Sequence, residues 1–185
     1  MNLLDLAKKR KTVRKFKKET PDIEDIKYAI NVAKEAPSGK NDQPWHFVLI
    51  SKKEDKEKIR EICEKGEKQF YENSKGELRE WLEKMGFTWK KPFLSEAPFL
   101  LFVYSHIKSP FSRESVWLSI GYLLLALEER GLGTVTYTPA NFKDVSDYVG
   151  LPKEYRLEVI LPIGYPDDSK PKYDRKSLDE ILTIL

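Results

Sequence analysis

An almost wholly apolar segment, residues 114–130, most constrains how this chain of 185 residues can fold. Its length favours a helix, and Gly131 stands where a helix of this kind is typically capped. A helix that is apolar on most of its faces has to be buried. Because a monomer of this size has limited room for such a helix, the segment predicts a subunit interface.

Around this segment, apolar periodicity predicts both helices and strands. Helices are expected over 3–7, 21–36, 53–73, 114–130 and 142–149, and strands over 46–50, 99–104, 133–138 and 157–163. Thr20 and Pro21 provide an N-cap and a first helical residue for the second helix, whereas residues 74–91 are ambiguous. The order of elements predicts an α+β fold, with a mostly antiparallel sheet wrapped by helices in one domain over 1–185.

The charge balance argues against a nucleic-acid-binding protein. The 33 basic and 30 acidic residues are interleaved and leave a net charge of +3, so no basic groove is predicted. The single cysteine, Cys63, fits a reducing cytoplasm, and the chain shows neither a signal peptide nor an apolar run of membrane length. We therefore expect a soluble, cytoplasmic protein without a membrane partner.

Several common catalytic motifs do not occur in the sequence. No Gly-x-Gly-x-x-Gly follows a strand, so a Rossmann-type nicotinamide site is not supported, and no nucleophile elbow is present. His46 and His106 stand alone, without the neighbours that metal coordination requires. We expect no metal site.

A basic turn follows the first helix. Arg10, Lys11 and Arg14 place three cations within five positions, with Thr12 between them. Arginine offers a planar fork that matches phosphate oxygens, so the turn is a candidate phosphate site. A solvated basic turn is the alternative, and the same holds for Arg175 in its lysine-rich surroundings.

A second motif, from Ala36 to Trp45, follows about one helix later. Pro37, Ser38 and Gly39 form a tight turn in which the glycine permits close approach to the main chain. A plain connection from helix to strand is the alternative interpretation.

Together, the two motifs resemble the opening signature of the nitroreductase superfamily. The stretches 134–141 and 161–166, with residues 175–179, are similar to the iodotyrosine deiodinase branch of that superfamily. The resemblance implies FMN bound across the interface of an intertwined homodimer. It assigns the FMN phosphate to Arg10, Arg14 and Arg175, with Lys11 as the weakest member of the set and Thr12 beside it.

The resemblance also implies which residues face the flavin ring. Thr136, Tyr137 and Thr138 would lie along it, with the Thr138 hydroxyl beside flavin N5, where a donor favours one-electron steps. The turn 37–39 would contact the ring in the partner subunit. Asn41 and Gln43 match the general nitroreductase form of this motif rather than that of the animal deiodinases.

Residues 64–94 are a candidate mobile substrate lid by the same resemblance. Glu67, Tyr71 and Lys91, together with Lys40, would bind the ammonium and carboxylate groups of a halotyrosine. Taken alone, a glutamate and a tyrosine four positions apart on a charged helix are typical surface residues, and Lys90 competes with Lys91.

Three functions follow from these patterns. The first is FMN-dependent reductive dehalogenation of halotyrosines, which Thr138 and the lid residues favour. The second is general reduction of nitroaromatics or quinones by NAD(P)H, which Asn41 and Gln43 slightly favour. The third is a flavin-binding or small-ligand-binding protein without turnover. The electron donor, whether NAD(P)H or a separate flavin-reducing partner, stays open.

Overall fold

A four-stranded antiparallel sheet forms the centre of the molecule. The computed structural model describes residues 2–185. The strands are β1 (Trp45–Ile50), β2 (Phe99–His106), β3 (Gly133–Thr134) and β4 (Tyr155–Gly164), in the order β1-β2-β4-β3. The predicted α+β fold with an antiparallel sheet is therefore confirmed.

Seven helices surround this sheet among the described residues. They are α1 (Leu3–Lys9), α2 (Ile23–Ala33), α3 (Lys53–Asn73), α4 (Gly76–Lys84), α5 (Phe93–Glu96), α6 (Ser112–Glu129) and α7 (Phe142–Val149). The ambiguous stretch thus contains α4. The predicted cap of α2 is wrong, because the Asp22 carboxylate accepts a hydrogen bond from the Glu24 amide at 3.0 Å and the helix begins at Ile23. No helix in residues 2–185 has the length and hydropathy that crossing a bilayer requires.

Strand β2 is covered by helices on both of its faces. Leu101 and Val103 point to one side, where they belong to a core shared with α2 and α6. Leu100, Phe102 and Tyr104 point to the other side, into a core shared with α3 and α7. Because side chains alternate along a strand, a continuous apolar run such as this one fills two cores at once.

Helix α6 buries one face and exposes part of the other. Ile120 and Leu123 are buried in the core beneath the sheet, whereas Leu118 and Tyr122 are 51% and 42% exposed. The predicted subunit interface on this outer face stays a prediction. The first part of the prediction, that a nearly all-apolar helix packs into the core, agrees with the structure.

The predicted strand over 133–138 is too long. Continuous pairing with β4 covers only Gly133 and Thr134, and the outer side of Thr134 bridges to Thr12, with the Val13 amide donating to the Thr134 carbonyl at 2.9 Å. A Cβ on Gly133 would approach Val13 to 2.7 Å, so only glycine lets the two segments come this close. Residues 135 and 136 leave the sheet beside the basic turn, and Tyr137 returns to β4 through a single bridge to Ile160.

Candidate functional site

A cavity of about 850 Å³ lies where the segment after β3 meets the basic turn and the end of α3. Thr136 and Thr138 line it with exposed side chains, while the Tyr137 side chain is buried. The opposite wall consists of residues from α3 and from the segment between α4 and α5. Residues 136–138 thus line the same cavity as Glu67, Tyr71 and Lys91, three of the four predicted substrate residues.

Four side chains on that wall contact one another, and we call them the Glu67 cluster: Glu67, Tyr71, Lys91 and Tyr137. The Lys91 ammonium lies 3.1 Å from Glu67 Oε2 and 5.0 Å from the centre of the Tyr71 ring. The Tyr137 hydroxyl donates to Glu67 Oε1 at 2.9 Å. Glu67 and Tyr71 stand one turn apart on α3, which places both on the side of the helix that faces the cavity.

Glu67 is more deeply buried than its position on a charged helix indicates. A glutamate on a charged helix is typically solvated, but Glu67 is only 7% exposed and Tyr137 is equally buried. Burial first of all, followed by the nearby Cys63 and Glu67, raises the pKa of the Tyr137 hydroxyl far above its usual value. The hydroxyl therefore stays protonated and remains a donor to Glu67.

Of the two neighbouring lysines, Lys91 is the one that contacts Glu67. Its main-chain amide also donates to Glu64 Oε1 at 2.7 Å, and its ammonium donates to the Thr88 carbonyl at 2.6 Å. The Lys90 ammonium lies instead over the Trp89 ring, 5.6 Å from its centre.

A smaller cavity of about 250 Å³ adjoins the basic turn. It is lined by the basic residues of the turn and of the C-terminal segment: Arg10, Lys11, Arg14, Lys170, Lys172 and Arg175. The predicted phosphate residues thus come together, although 164 positions separate Lys11 from Arg175 in the chain (175 − 11 = 164).

The cations in this cavity repel one another. Burial and then the charge of Arg175 lower the pKa of Arg10, while Glu128 acts in the opposite direction. Burial, Arg175 and Arg10, in that order, also lower the pKa of Lys172, which sequence reasoning missed because nothing distinguishes it from its lysine neighbours. An anion placed among these groups would relieve their repulsion.

Two members of the basic turn also bind other parts of the chain. The Lys11 ammonium donates to the carbonyls of Asp168 and Lys170 at 2.6 and 2.8 Å, so it holds the C-terminal segment in place. The Arg14 guanidinium lies 5.3 Å from the centre of the Phe87 ring, and the Arg14 amide donates to Asp168 Oδ2 at 2.9 Å. Phe87 lines both cavities and was not singled out by the sequence.

The turn 37–39 and Lys40 lie elsewhere. Within residues 2–185, none of these four positions belongs to the wall of either cavity described above. A Cβ on Gly39 would approach the Pro110 carbonyl to 2.9 Å, so a contact within the chain already accounts for this glycine. Contacts of this loop with a cofactor or substrate stay predictions.

The same loop has an unusual backbone. Lys40, Asn41 and Gln43 have φ angles of 55°, 56° and 47°, and Phe111, which packs against Gly39, has a φ of 48°. Residues other than glycine rarely adopt this left-handed region, and such strain is concentrated at functional sites.

Comparison with known proteins identifies the family. The model of the nitroreductase family matches residues 7–165. The chain belongs to the nitroreductase family, as its motifs indicate.

Within the family, the chain is similar to several iodotyrosine deiodinases. It is 61% identical to iodotyrosine deiodinase of Thermotoga neapolitana over 95% of both chains. It is 34% identical to human iodotyrosine deiodinase 1, covering 98% of this chain and 68% of the human protein. The resemblance predicted from the motifs is confirmed.

Solved structures support the same relationship. A crystal structure of oxidized iodotyrosine deiodinase bound to FMN and 3-iodo-L-tyrosine superimposes with a TM-score of 0.93 and 60% identity, covering 96% of each chain. A BluB-like flavoprotein from Clostridium difficile superimposes with a TM-score of 0.83 and 28% identity, over 100% of this chain and 99% of the other.

Proposed function

We propose that this protein is an FMN-dependent oxidoreductase that removes halide reductively from halotyrosines such as 3-iodotyrosine. The observation that carries this proposal is the Glu67 cluster, a paired carboxylate and ammonium in the wall of the cavity that also contains Thr138. Similarity to the deiodinase bound to FMN and 3-iodo-L-tyrosine supports it.

The residues of the smaller cavity fit the phosphate of FMN. Burial and then the charge of Arg175 lower the pKa of Arg10, so an anion bound between these cations would stabilise the site. Arg10, Arg14 and Arg175 would hold the phosphate, with Thr12 beside them, and Lys11 would keep the C-terminal segment in position. When bound, FMN supplies the two electrons that removal of a halide from an aromatic ring requires.

The flavin ring would lie in the larger cavity along residues 136–138. The exposed side chains of Thr136 and Thr138 are available to it, whereas Tyr137 contributes its backbone because its side chain turns toward Glu67. The Thr138 hydroxyl would donate to the ring at N5. The turn 37–39 would contact the ring of the partner subunit.

A halotyrosine carries the two charges that the Glu67 cluster complements. Its ammonium would bind Glu67, its carboxylate would bind Lys91, and Tyr71 and Lys40 would complete the contacts. The cluster is buried, and a hydrogen bond to a charged group contributes roughly 1.5–3 kcal/mol. Substrate binding would exchange the ion pair of Glu67 with Lys91 for two pairs with the ligand.

The reaction is balanced by two electrons and one proton. 3-Iodotyrosine gains both electrons, the carbon–iodine bond breaks, iodide leaves, and the ring carbon takes one proton to give tyrosine. The cavity walls would hold the phenol ring and exclude bulk water from it, and the Glu67 cluster would fix the amino acid end.

The proposal includes the organisation of the chain. Residues 1–185 form a single domain, and residues 64–94 act as a lid that orders over the substrate. Two copies form a homodimer through the exposed face of α6, where Leu118 and Tyr122 lie. The protein works in the cytoplasm and takes electrons either from NAD(P)H or from a separate flavin-reducing partner.

One experiment separates this function from general nitro reduction, which Asn41 and Gln43 favour. Protein reconstituted with FMN is reduced anaerobically and mixed with 3-iodotyrosine while flavin absorbance, tyrosine and iodide are measured. Reoxidation with one tyrosine and one iodide per flavin supports the proposal. A flavin that stays reduced with 3-iodotyrosine but is reoxidised by nitroaromatics would establish the alternative.

A further inference from the structure

Tyr137 connects the segment that carries Thr138 to the glutamate of the substrate wall. Its hydroxyl donates to Glu67 Oε1 at 2.9 Å, although 70 residues separate the two positions. Its neighbours Thr136 and Thr138 are exposed to the cavity, whereas Tyr137 is 7% exposed. The Tyr137 side chain is therefore mostly covered and bonded to Glu67, whereas its two neighbours stay open to the cavity.

The two oxygens of Glu67 have different partners. Oε1 accepts from the Tyr137 hydroxyl, and Oε2 pairs with the Lys91 ammonium at 3.1 Å. If Lys91 turns to a substrate carboxylate, Oε2 is released while Oε1 stays bonded to Tyr137. The carboxylate then keeps its orientation and offers one free oxygen to a ligand ammonium.

The Tyr137 ring is fixed by its own surroundings. It packs edge-on against Phe93 with the ring centres 5.5 Å apart, and its backbone bridges to Ile160 of β4 with hydrogen bonds of 3.0 and 2.8 Å. Because the sheet and the core already fix the position of Tyr137, its hydroxyl can orient a carboxylate without a loss of side-chain entropy when a ligand binds.

We infer that Tyr137 is a positioning residue that orients Glu67 for the ammonium group of an α-amino acid substrate. This inference rests on the proposed function, and it assigns the Tyr137 side chain to substrate recognition rather than to the cofactor. The hydroxyl acts through Glu67, so its removal affects ligands with an ammonium group and leaves those without one unaffected.

The test compares two ligands in the FMN-loaded protein. 3-Iodotyrosine carries the ammonium and carboxylate groups, and 2-iodophenol carries neither. Flavin fluorescence titrations give the Kd of each ligand for the wild type and for Tyr137→Phe, which removes only the hydroxyl. We expect the Kd of 3-iodotyrosine to rise about tenfold, with the Kd values of 2-iodophenol and FMN unchanged.

Tyr104→Phe is the matched control. Tyr104 is a fully buried tyrosine of the same core, and its hydroxyl has no hydrogen-bond partner among the residues the structure describes. We expect all three Kd values to stay at the wild-type level in this variant.

A double-mutant cycle with Glu67→Gln gives a second readout. Once the carboxylate is gone, Tyr137→Phe should no longer change the preference for 3-iodotyrosine over 2-iodophenol. If Tyr137→Phe does not fold, Glu67→Asp, which keeps the charge but draws it back from the hydroxyl, should show the same selective loss. Wild-type affinity in Glu67→Asp would then overturn the inference.

Other results would contradict either the positioning role of Tyr137 or the proposed function. Equal weakening of both iodinated ligands, loss of FMN, or unchanged 3-iodotyrosine binding in Tyr137→Phe would each overturn the positioning role alone. A wild-type protein that binds FMN but not 3-iodotyrosine would instead overturn the proposed function, and this inference with it.

Discussion

Lys91 and Glu67 form an ion pair of 3.1 Å within the wall of the large cavity, with their side chains 12% and 9% exposed. A buried pair of this kind contributes little net stability, because desolvation of both charges offsets most of their attraction. The position of the ion pair in the cavity wall points to a role in ligand binding instead. The pair keeps both charges compensated until a zwitterionic ligand, with one charge for each partner, replaces it.

The first prediction concerns Lys91. Replacing it by glutamine removes the charge expected to bind a substrate carboxylate, so the Kd of 3-iodotyrosine should rise at least about tenfold. FMN should remain bound, because the smaller cavity proposed for its phosphate does not include Lys91. Titration of the flavin fluorescence measures both affinities.

Lys90→Gln is the control for this prediction, since the Lys90 ammonium lies over the Trp89 ring instead of at Glu67. Its 3-iodotyrosine affinity should equal that of the wild type. The opposite result, a weakened Lys90 variant and an unaffected Lys91 variant, would move the carboxylate site to Lys90.

The second prediction concerns the Thr138 hydroxyl. Thr138→Ala removes the side-chain donor expected at flavin N5, which should slow dehalogenation of 3-iodotyrosine and increase the relative rate of nitro reduction. The measurement is the ratio of the two rates, with spectra recorded during anaerobic redox titration. Thr136→Ala removes an equally exposed hydroxyl two residues earlier, and there the ratio should stay at the wild-type value. Equal ratios in all three proteins would refute the N5 assignment.

The third prediction concerns Arg175. Arg175→Gln should weaken FMN binding about tenfold or more, because the proposed phosphate site loses one of its three arginines. The FMN-free protein should not lose stability, since the substitution removes the Arg175 charge, which after burial contributes most to the lowered pKa values of Arg10 and Lys172. Ultrafiltration gives the FMN affinity, and thermal unfolding gives the stability.

Arg79→Gln changes a surface arginine that pairs with Glu83 on α4, and it should retain full FMN affinity. If Arg175→Gln binds FMN as tightly as this control does, the phosphate lies elsewhere.

The fourth prediction concerns the outer face of α6. Leu118 is 51% exposed near the middle of this helix, so Leu118→Glu should shift a dimer toward monomer in light-scattering measurements. FMN should be lost together with the dimer, because the turn 37–39 is expected to reach the partner's flavin. Leu78→Glu, at a similarly exposed leucine of α4, should remain dimeric. A wild-type protein that is monomeric with bound FMN would contradict this arrangement.

Much of the secondary structure could be predicted because its signals are local. The helices over 53–73 and 142–149 were predicted with the bounds that the structure has. The strand over 133–138 was not, because its β-branched residues favour an extended backbone whether or not a neighbouring strand is present. Continuous pairing with β4 ends at Thr134, where residues 12 and 13 lie along the other side of the strand, and only Tyr137 bridges back to β4 at Ile160.

The residues of the candidate site also differ in whether the sequence could identify them. Arg10 and Arg14 were candidates from the basic turn and Arg175 from the family resemblance, whereas Lys172 has no distinguishing signal and gains importance only through its position. Glu67 and Lys91 were singled out by resemblance, since a helical glutamate and a lysine in an ambiguous stretch look like solvated residues.

The sequence alone therefore determined the family, the order of the elements and the candidate phosphate and substrate residues. The motifs and the order of the elements depend on residue types and on spacing between near neighbours, which a sequence displays directly, and resemblance to the family then assigned the candidate residues. Only the tertiary structure decided that the Tyr137 side chain turns to Glu67 and that Lys91, rather than Lys90, completes the pair. These contacts depend on how segments that are far apart in the chain pack against each other. That packing is decided by the paths of the loops and by the burial of side chains.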